Sequence, residues 1–308
     1  MTVLFQLFLL VIGFALLVKG ADWFVEGASG IAEKFGIPQL IIGLTIVAMG
    51  TSAPEAAVSI TSALKGSAGI TIGNVVGSNI LNTLIILGIT SVIVPLKVKK
   101  STSNIEIPFM IGVSILLGVL GYNQVISRLD GIILWVAFLV YFWYLYTSAK
   151  NKKPEEPSQE EPRTLSVNLV LVTLGLAGII LGSNVSVNAA TAIALLYGMS
   201  ERFIGLTIVA LGTSLPELFT SVMAARKGNA DIAIGNIVGS NIFNILFVVG
   251  TSALIIPVPF EARFLIDTVV AVVSGVLLWF FVQDGKLNRK EGAVFLACYA
   301  LYFLYLCM

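Results

Sequence analysis

The sequence contains no histidine, and only 11% of its 308 residues are charged. The absence of histidine excludes zinc–histidine sites, Ser–His catalytic pairs and histidine proton relays. An ordinary soluble domain has roughly 25% charged residues, so the low charge excludes a soluble globular enzyme, a disordered protein and a nucleic-acid-binding protein. A hydrophobic fraction of 57%, spread over the whole length, predicts an all-α membrane protein with many spans.

Cysteine is also scarce. Cys298 and Cys307 are separated by about 13 Å along a helix, which is too far for a disulfide, so the cysteines do not indicate a redox compartment. The N-terminal apolar run has no basic residues before it and is long enough to span a bilayer. It is predicted to be the first transmembrane helix rather than a cleaved signal.

A spanning helix needs about 20 mostly apolar residues. Ten such spans are predicted, near residues 3–30, 38–64, 70–95, 105–122, 129–148, 165–192, 200–225, 232–256, 264–282 and 289–307. The stretch 149–163, AKNKKPEEPSQEEPR, is dense in charge and proline, which is typical of an aqueous linker.

The chain contains an internal repeat. Residues 41–82 align without gaps on residues 203–244, at a constant offset of 162, with 27 of 42 positions identical. The chain therefore divides into a first five-helix repeat (1–148), the linker and a second five-helix repeat (164–308). Because five is odd, equivalent helices would cross the bilayer in opposite directions, which predicts an inverted repeat of the kind found in secondary transporters.

The loop charges predict the orientation. With the N-terminus outside, the inner connections carry 13 Lys and Arg residues and the outer connections carry 4. The positive-inside rule then places both termini outside and the linker in the cytoplasm. The absence of a targeting presequence favours a prokaryotic plasma membrane.

The motif GTSxPE lies inside the second span of each repeat, ending at Glu55 and at Glu217. Proline has no amide proton and clashes with the preceding turn, so we expect each helix to break there. A break would free backbone carbonyls, and with the hydroxyls and the carboxylate these are the oxygen ligands of a hard cation. The carbonyls in question belong to Ala48, Thr51, Ala210 and Thr213.

The two glutamates are the strongest candidates for function. A carboxylate near the bilayer centre costs at least about 3 kcal/mol, and two that face each other cost more through repulsion. A bound divalent cation or protonation would remove this cost. The alternative is a purely structural hydrogen bond between helices.

The motif GNxVGSNIxN lies in the third span of each repeat. Ser78 and Asn82 share one helix face, as do Ser240 and Asn244. Asn82 and Asn244 are candidates for the centre of the site, with interhelical hydrogen bonding as the alternative. Interhelical bonding is the preferred interpretation for Asn74, Asn79, Asn236 and Asn241.

Other charges in the spans are given weaker roles. Lys19, Asp22 and Glu26 are expected near a water-filled vestibule or at an interface. The acidic residues near predicted helix ends are expected to be solvated: Glu106, Asp130, Glu201 and Asp267.

The paired GTSxPE and GSNIxN motifs resemble the repeats of the cation/calcium antiporter superfamily, and most of all its prokaryotic sodium/calcium exchanger branch. The resemblance implies a ten-helix fold in which helices 2, 3, 7 and 8 enclose the ions while helices 1 and 6 slide across them. It also implies that Glu55 and Glu217 bind Ca²⁺ with the carbonyls of Thr51 and Thr213. The flanking Na⁺ sites would use Ser52, Ser78, Ser214, Ser240 and the carbonyls of Ala48 and Ala210, and Asn82 and Asn244 would line the centre.

Within the superfamily, some relatives, including potassium-dependent exchangers and some archaeal exchangers, resemble this pattern but have Asp where Asn244 stands. The Asn in both repeats leaves two central carboxylates rather than three, which implies no K⁺ cotransport here. The intact Thr-Ser pair in both motifs favours Na⁺ over H⁺ as the counter-ion. An H⁺/Ca²⁺ antiporter that uses the same glutamates is the alternative function.

Two further classes are disfavoured. A passive channel conflicts with a deep two-carboxylate site, which would impede rapid exit. An intramembrane aspartyl-type enzyme conflicts with glutamates in kinked, hydroxyl-rich segments. No G-x-x-x-x-G-K-[ST] loop is present, so an ion gradient is the expected energy source. We therefore predict Ca²⁺ and Na⁺ as substrates and the lipid bilayer as surroundings, with no enzyme activity, cofactor or nucleic-acid partner, and a monomer sufficient for transport.

Overall fold

A computed structural model describes residues 3–66, 68–151, 163–198 and 210–307. The helices are α1 (Val3–Phe35), α2 (Gln39–Thr51), α3 (Ala53–Leu64), α4 (Ala68–Ile93), α5 (Thr102–Asn123), α6 (Arg128–Asn151), α7 (Leu165–Leu196), α8 (Ala210–Thr213), α9 (Leu215–Arg226), α10 (Ala230–Ile255), α11 (Ala262–Asp284) and α12 (Arg289–Cys307). The strands are β1 (Leu96–Lys97), β2 (Val125–Ile126), β3 (Val258–Pro259) and β4 (Lys286–Leu287).

Seven of the described helices are long and apolar enough to cross a membrane, and the bent pair α2–α3 raises this number to eight. The described part of the α8–α9 pair begins only at Ala210, and α12 has three charged residues in its first turn, so neither is among these helices. Where the structure describes both ends of a predicted span, they lie within five residues of the prediction. Residues 199–209, which begin the predicted seventh span, and most of the linker (152–162) lie outside the described residues.

Burial separates the helices into an inner and an outer set. In the most apolar stretch of α10, 94% of the residues are buried, and in that of α4, 72% are buried. In the corresponding stretches of α1 and α7, only 22% of the residues are buried. The inner helices are rich in Gly, Ser and Asn, which pack closely and bond across helices. Large side chains such as Leu4 and Trp143 cover the outer faces of the outer helices, as expected of surfaces that contact lipid.

Helices α1 and α7 pack against each other along most of their length through glycines. Gly13 lies against Gly182, and Gly20 lies against Gly175, so the two helices are antiparallel. A Cβ atom at Gly175 would lie only 2.5 Å from the backbone nitrogen of Phe24. The contact therefore needs glycine, because a larger residue would push the two backbones apart.

The contacts are reciprocal at the offset of the sequence repeat. Gly13 is equivalent to Gly175, and Gly20 is equivalent to Gly182. The contact of Gly13 with Gly182 is therefore matched by the contact of Gly175 with Gly20. The strands are exchanged in a similar way. Adding 162 to β1 gives β3, adding 162 to β2 gives β4 to within one residue, and β1 pairs antiparallel with β4 while β2 pairs antiparallel with β3. Thus the two halves of the chain contact each other through pairs of matching surfaces.

Candidate cation site

Both GTSxPE segments interrupt a helix. The axis bends by 51° between α2 and α3, and Ser52 at the bend has φ −82° and ψ 6°. Ser214, between α8 and α9, has nearly the same values, −90° and 2°. Pro54 and Pro216 occupy the first turn of the following helix, where a missing N–H is tolerated. The predicted break is confirmed in the first repeat by the bend, and the second repeat has the same local backbone.

The carbonyl groups at the breaks differ from the prediction. The carbonyl of Ala48 still accepts the N–H of Ser52 at 3.0 Å, so the expectation that the break frees it is wrong. In the second repeat, Ser214 N–H bonds to Leu211 instead, at 3.2 Å. The carbonyl of Gly212, whose helical donor would be Pro216, accepts the hydroxyl of Ser183 at 2.7 Å. The proline therefore frees the carbonyl four residues before it, and α7 supplies a donor.

Glu55 and Glu217 lie in the first turns of α3 and α9, and each is only 1% exposed. Ser52 Oγ donates to Glu217 Oε1 at 3.0 Å. Among the described residues, the other oxygen of Glu217 and both oxygens of Glu55 accept no hydrogen bond. The two carboxyl groups are electrostatic neighbours, and the Ser78 hydroxyl is a polar neighbour of Glu55. Buried carboxylates cannot stay ionised without compensation, so this pair requires a cation or protons.

Hydroxyl groups surround the two breaks. Thr51 Oγ1 donates to Asn236 Oδ1 at 2.9 Å, which joins the first break to α10. Ser240 Oγ donates to the Ala48 carbonyl at 3.4 Å. Ser214 is buried, and its Oγ has no hydrogen-bond partner in the part of the chain that the structure describes. These contacts place the first break against α10 and against the glutamate of the second repeat.

Asparagines connect the inner helices, as predicted. Asn74 Nδ2 donates to the Glu55 carbonyl at 3.2 Å. In the other repeat, Asn236 Nδ2 donates to the Glu217 carbonyl at 3.4 Å. Each also donates to a serine of the same half, Ser59 at 2.9 Å and Ser221 at 3.0 Å. These bonds hold the backbone of both glutamates against the third span of their own repeat.

Asn82 and Asn244 each begin a π-helical turn, Asn82–Ile86 and Asn244–Val249. Both side chains are 1% exposed. Their Nδ2 atoms are bonded between α4 and α10, whereas their Oδ1 atoms have no hydrogen-bond partner among the described residues. π-Helical turns occur frequently at functional sites. The Oδ1 atoms are thus two more buried oxygens that a cation could use.

Sequence-predicted site residues from the two halves of the chain therefore contact each other directly at two points, Ser52 with Glu217 and Ser240 with the Ala48 carbonyl. Thr213 is half-buried at the end of α8, and the side-chain surroundings of Ala210 lie outside what the structure describes. The described residues contain no group of three or more His, Cys, Asp and Glu side chains that could hold a metal. A cation here would therefore need neutral oxygens beside the two carboxylates.

A polar cavity of about 130 Å³ adjoins the second break. Its lining includes Pro54 and Thr213 from the motifs and Ser183, Asn184 and Asn188 from α7. Sequence analysis gave these α7 residues no role, because they lie outside the repeated motifs. The only signal is the offset of 162, which makes Asn184 and Asn188 the counterparts of Asp22 and Glu26. The cavity thus meets both breaks, at Pro54 next to Glu55 and at Thr213.

Two expectations about other charges need correction. Glu106 is 2% exposed rather than solvated, and it accepts the hydroxyl of Tyr144 at 2.8 Å. Asp267 is half-buried and accepts Tyr302 at 2.9 Å. In each case a tyrosine of another helix donates the hydrogen bond to the carboxylate. The position of an acidic residue near a helix end does not show which helix lies beside it. Asp130 caps its own helix through Ser127, and Glu201 lies outside the described residues.

Comparison with known proteins shows which family has this sequence and fold. A family model described as sodium/calcium exchanger protein matches residues 5–147 and 167–308. The putative antiporter CaxA of Alkalimonas amylolytica is 39% identical over 94% of this chain and 95% of its own length. The sodium/calcium exchanger MaX1 of Methanosarcina acetivorans is 32% identical over 97% of both chains.

Solved structures of the sodium-calcium exchanger NCX_Mj are also similar. One of them, soaked without Na⁺ and Ca²⁺, superposes with a TM-score of 0.87 at 34% identity, covering 99% of this chain and 100% of that one. At this identity and coverage the likeness extends to the whole fold. The chain belongs to the sodium/calcium exchanger family, a family of membrane transporters.

Proposed function

We propose that this protein exchanges Na⁺ for Ca²⁺ across the membrane by alternating access. The observation that carries the proposal is the pair Glu55 and Glu217, both 1% exposed at helix breaks, with three of four carboxylate oxygens lacking a hydrogen bond among the described residues. A divalent cation between them would neutralise both charges and coordinate the unpaired oxygens.

The ligands divide between two kinds of ion. Glu55 and Glu217 bind Ca²⁺ with the carbonyls of Thr51 and Thr213, and Asn82 and Asn244 line the centre. Flanking Na⁺ ions use four serines and two carbonyls: Ser52, Ser78, Ser214, Ser240, Ala48 and Ala210. The Ala48 carbonyl can ligate although it accepts Ser52 N–H, because a carbonyl oxygen has two lone pairs.

Exchange follows from competition for these ligands. Ca²⁺ and Na⁺ use overlapping oxygens, so one displaces the other. An empty site leaves two buried charges uncompensated, which is costly in a low-dielectric interior. Only the loaded states therefore pass between the two open conformations, and the inward Na⁺ gradient drives Ca²⁺ out.

The proposed topology has ten spans in two inverted five-helix repeats, 1–148 and 164–308. The antiparallel packing of α1 with α7 and the reciprocal contacts between equivalent glycines and strands of the two halves support it. The loop charges favour external termini, a cytoplasmic linker at 149–163 and a plasma-membrane location. A monomer contains both halves of the site and is sufficient for transport.

Transport is proposed to be independent of K⁺, because Asn82 and Asn244 leave two central carboxylates rather than three. The second candidate is H⁺/Ca²⁺ exchange. It is supported by the same unpaired carboxylate oxygens, which could accept protons instead of Na⁺.

The test is radioactive Ca²⁺ uptake into proteoliposomes of the purified protein. Vesicles loaded with Na⁺ are diluted into Na⁺-free buffer at clamped pH, with and without K⁺, and a parallel set carries a pH gradient without Na⁺. Uptake with the Na⁺ gradient alone, unchanged by K⁺, supports the proposal. Uptake with the pH gradient alone would establish the second candidate and overturn Na⁺ coupling.

A further inference from the structure

Four buried asparagines form a crossed set of hydrogen bonds between α4 and α10. Asn82 Nδ2 donates to Asn241 Oδ1 at 3.0 Å. At the equivalent position, Asn244 Nδ2 donates to Asn79 Oδ1 at 3.2 Å. All four side chains are no more than 3% exposed. Each central asparagine is therefore held by the asparagine three residues earlier in the opposite repeat.

The orientation of the outer pair is determined by backbone carbonyls. Asn79 Nδ2 donates to the carbonyl of Asn241 at 3.0 Å. Asn241 Nδ2 donates to the carbonyl of Asn79 at 3.4 Å and to Thr83 Oγ1 at 3.0 Å. A main-chain carbonyl can only accept, so the amide nitrogen of each must face it. The side-chain oxygens of Asn79 and Asn241 must consequently lie at the other end of each amide.

This choice propagates to the central pair. An amide oxygen can only accept, so it requires the NH₂ end of the neighbouring amide. Asn82 and Asn244 therefore direct their Nδ2 atoms at Asn241 and Asn79, and their Oδ1 atoms point away from them. Those Oδ1 atoms are buried without a hydrogen-bond partner among the described residues. Asn82 is also one turn after Ser78, the polar neighbour of Glu55.

We infer that Asn79 and Asn241 are positioning residues, which orient the amides of Asn244 and Asn82 so that oxygen rather than NH₂ faces the cation. The inference rests on the proposed function. A free asparagine can rotate its amide by 180°, and the NH₂ end would then repel a cation and could donate to a carboxylate. The crossed bonds prevent this rotation and keep the site selective for cations.

The test is a double-mutant cycle on full-length protein in proteoliposomes, with the apparent KM for Ca²⁺ and the maximal rate measured for each variant. Asn79→Ala is expected to raise the KM for Ca²⁺ about tenfold, the factor that corresponds to about 1.4 kcal/mol, while the maximal rate changes less. The second change is Asn244→Asp. A carboxylate has oxygen at both ends, so its orientation no longer matters.

In the Asn244→Asp background, Asn79→Ala is expected to leave the KM unchanged or to lower it, because the contact between Asn79 Oδ1 and a carboxylate oxygen is repulsive. An equal increase of the KM in both backgrounds would overturn the inference, since a packing defect does not depend on the chemistry at position 244. So would an unchanged KM in Asn79→Ala alone. The mirror cycle, Asn241→Ala with Asn82→Asp, replaces the first if Asn79→Ala does not fold.

Thr251→Val is the matched control. It removes one hydrogen bond between spans, from Trp135 Nε1 to Thr251 Oγ1 at 3.2 Å, away from the four asparagines. Its KM for Ca²⁺ is expected to match the wild type. If the wild-type protein carries no Ca²⁺ at all, the proposed function fails, whereas Ca²⁺ exchange that is insensitive to Asn79→Ala overturns the positioning role alone.

Discussion

Equivalent positions on α1 and α7 carry different chemistry. Asp22 of α1 pairs with Lys227 at 2.6 Å and Lys19 at 2.8 Å. Glu26 pairs with Lys227 at 3.3 Å and with Arg163. The matching positions on α7, 162 residues later, are the neutral Asn184 and Asn188, and both line the polar cavity. Hence one end of the helix pair is joined by ion pairs to the loop after α9 and to the start of α7, whereas the other end borders the polar cavity.

The contrast shows that the two repeats are equivalent at the site but differ at its periphery, which is formed by the ends of α1 and α7. The glutamates, their asparagine supports and the central amides match across the repeats, while the helix ends that flank them do not. In the proposed alternating-access mechanism, two identical halves would make the two open states equal in free energy, so differences outside the motifs would set the balance between them. The following predictions change either the shared site or the differing periphery.

The largest expected effect is at the shared glutamates. Glu55→Gln and Glu217→Gln each remove one of the two charges proposed to bind the divalent cation, so both are expected to reduce Ca²⁺ uptake at least about a hundredfold, a factor that corresponds to about 3 kcal/mol. The measurement is Na⁺-driven radioactive Ca²⁺ uptake. The control is Glu261→Gln, which changes an exposed glutamate paired with Arg263. Normal uptake by either site variant would contradict the equivalence of the two repeats.

The glycine contacts between α1 and α7 give the next effect. In Gly175→Ala, the new methyl group would lie 2.5 Å from Phe24 N and 2.8 Å from the Gly20 carbonyl, neither of which can move independently of its helix. We expect a loss of about 1–3 kcal/mol in stability, the usual cost of overpacking, measured as a lower Tm in detergent. Gly112→Ala is the control, because nothing lies within 4 Å of its new Cβ. Equal Tm values for the two variants would show that the helices tolerate separation.

The serines at the two breaks sharpen the comparison further. Ser52 donates to Glu217, whereas Ser214 Oγ has no hydrogen-bond partner among the described residues. In Na⁺-free buffer we expect Ser52→Ala to lose about 1.5 kcal/mol, the value of a bond to a charged group, and Ser214→Ala to lose less. Added Na⁺ is expected to raise the Tm of both variants less than that of the wild type. An unaltered Na⁺-dependent rise of the Tm would contradict the proposal that the two serines are Na⁺ ligands.

The smallest effect is expected at the charged helix end. The double change Asp22→Asn and Glu26→Gln gives α1 the neutral chemistry of α7. Because the side chains of Asp22 and Lys227 are 24% and 28% exposed, their pairing is partly screened, and the loss is expected to be about 1 kcal/mol or less. Tm measured in increasing choline chloride is expected to converge with that of the wild type. A difference that persists at high salt would indicate packing rather than charge.

Much of the site could be predicted from the chain. The prolines account for the breaks, since they remove a donor wherever they occur in a helix. The carboxylates of Glu55 and Glu217 are buried because the runs around them are too long and apolar to lie outside a bilayer. The hydrogen bonds of Asn79 and Asn241 were also expected, as polar amides in a span need partners.

Other features depend on neighbours that no local pattern reveals. Glu106 is buried because Tyr144, 38 residues later, reaches it. The Ala48 carbonyl is not freed, because it keeps its helical bond to the Ser52 amide. The carbonyl of Gly212, which Pro216 frees, receives the hydroxyl of Ser183 from α7. Each outcome depends on which helix lies alongside, and helix position in the sequence does not specify that.

The sequence by itself determined the apolar spans, the repeat and the chemistry placed at the breaks, because these follow from composition and local backbone sterics. The tertiary structure alone decided which end of each amide is hydrogen-bonded, which carbonyl receives a donor and which helix end borders the cavity. The reason is physical: hydrogen bonds and ion pairs act over about 3 Å, so their partners are chosen only when distant segments have packed together.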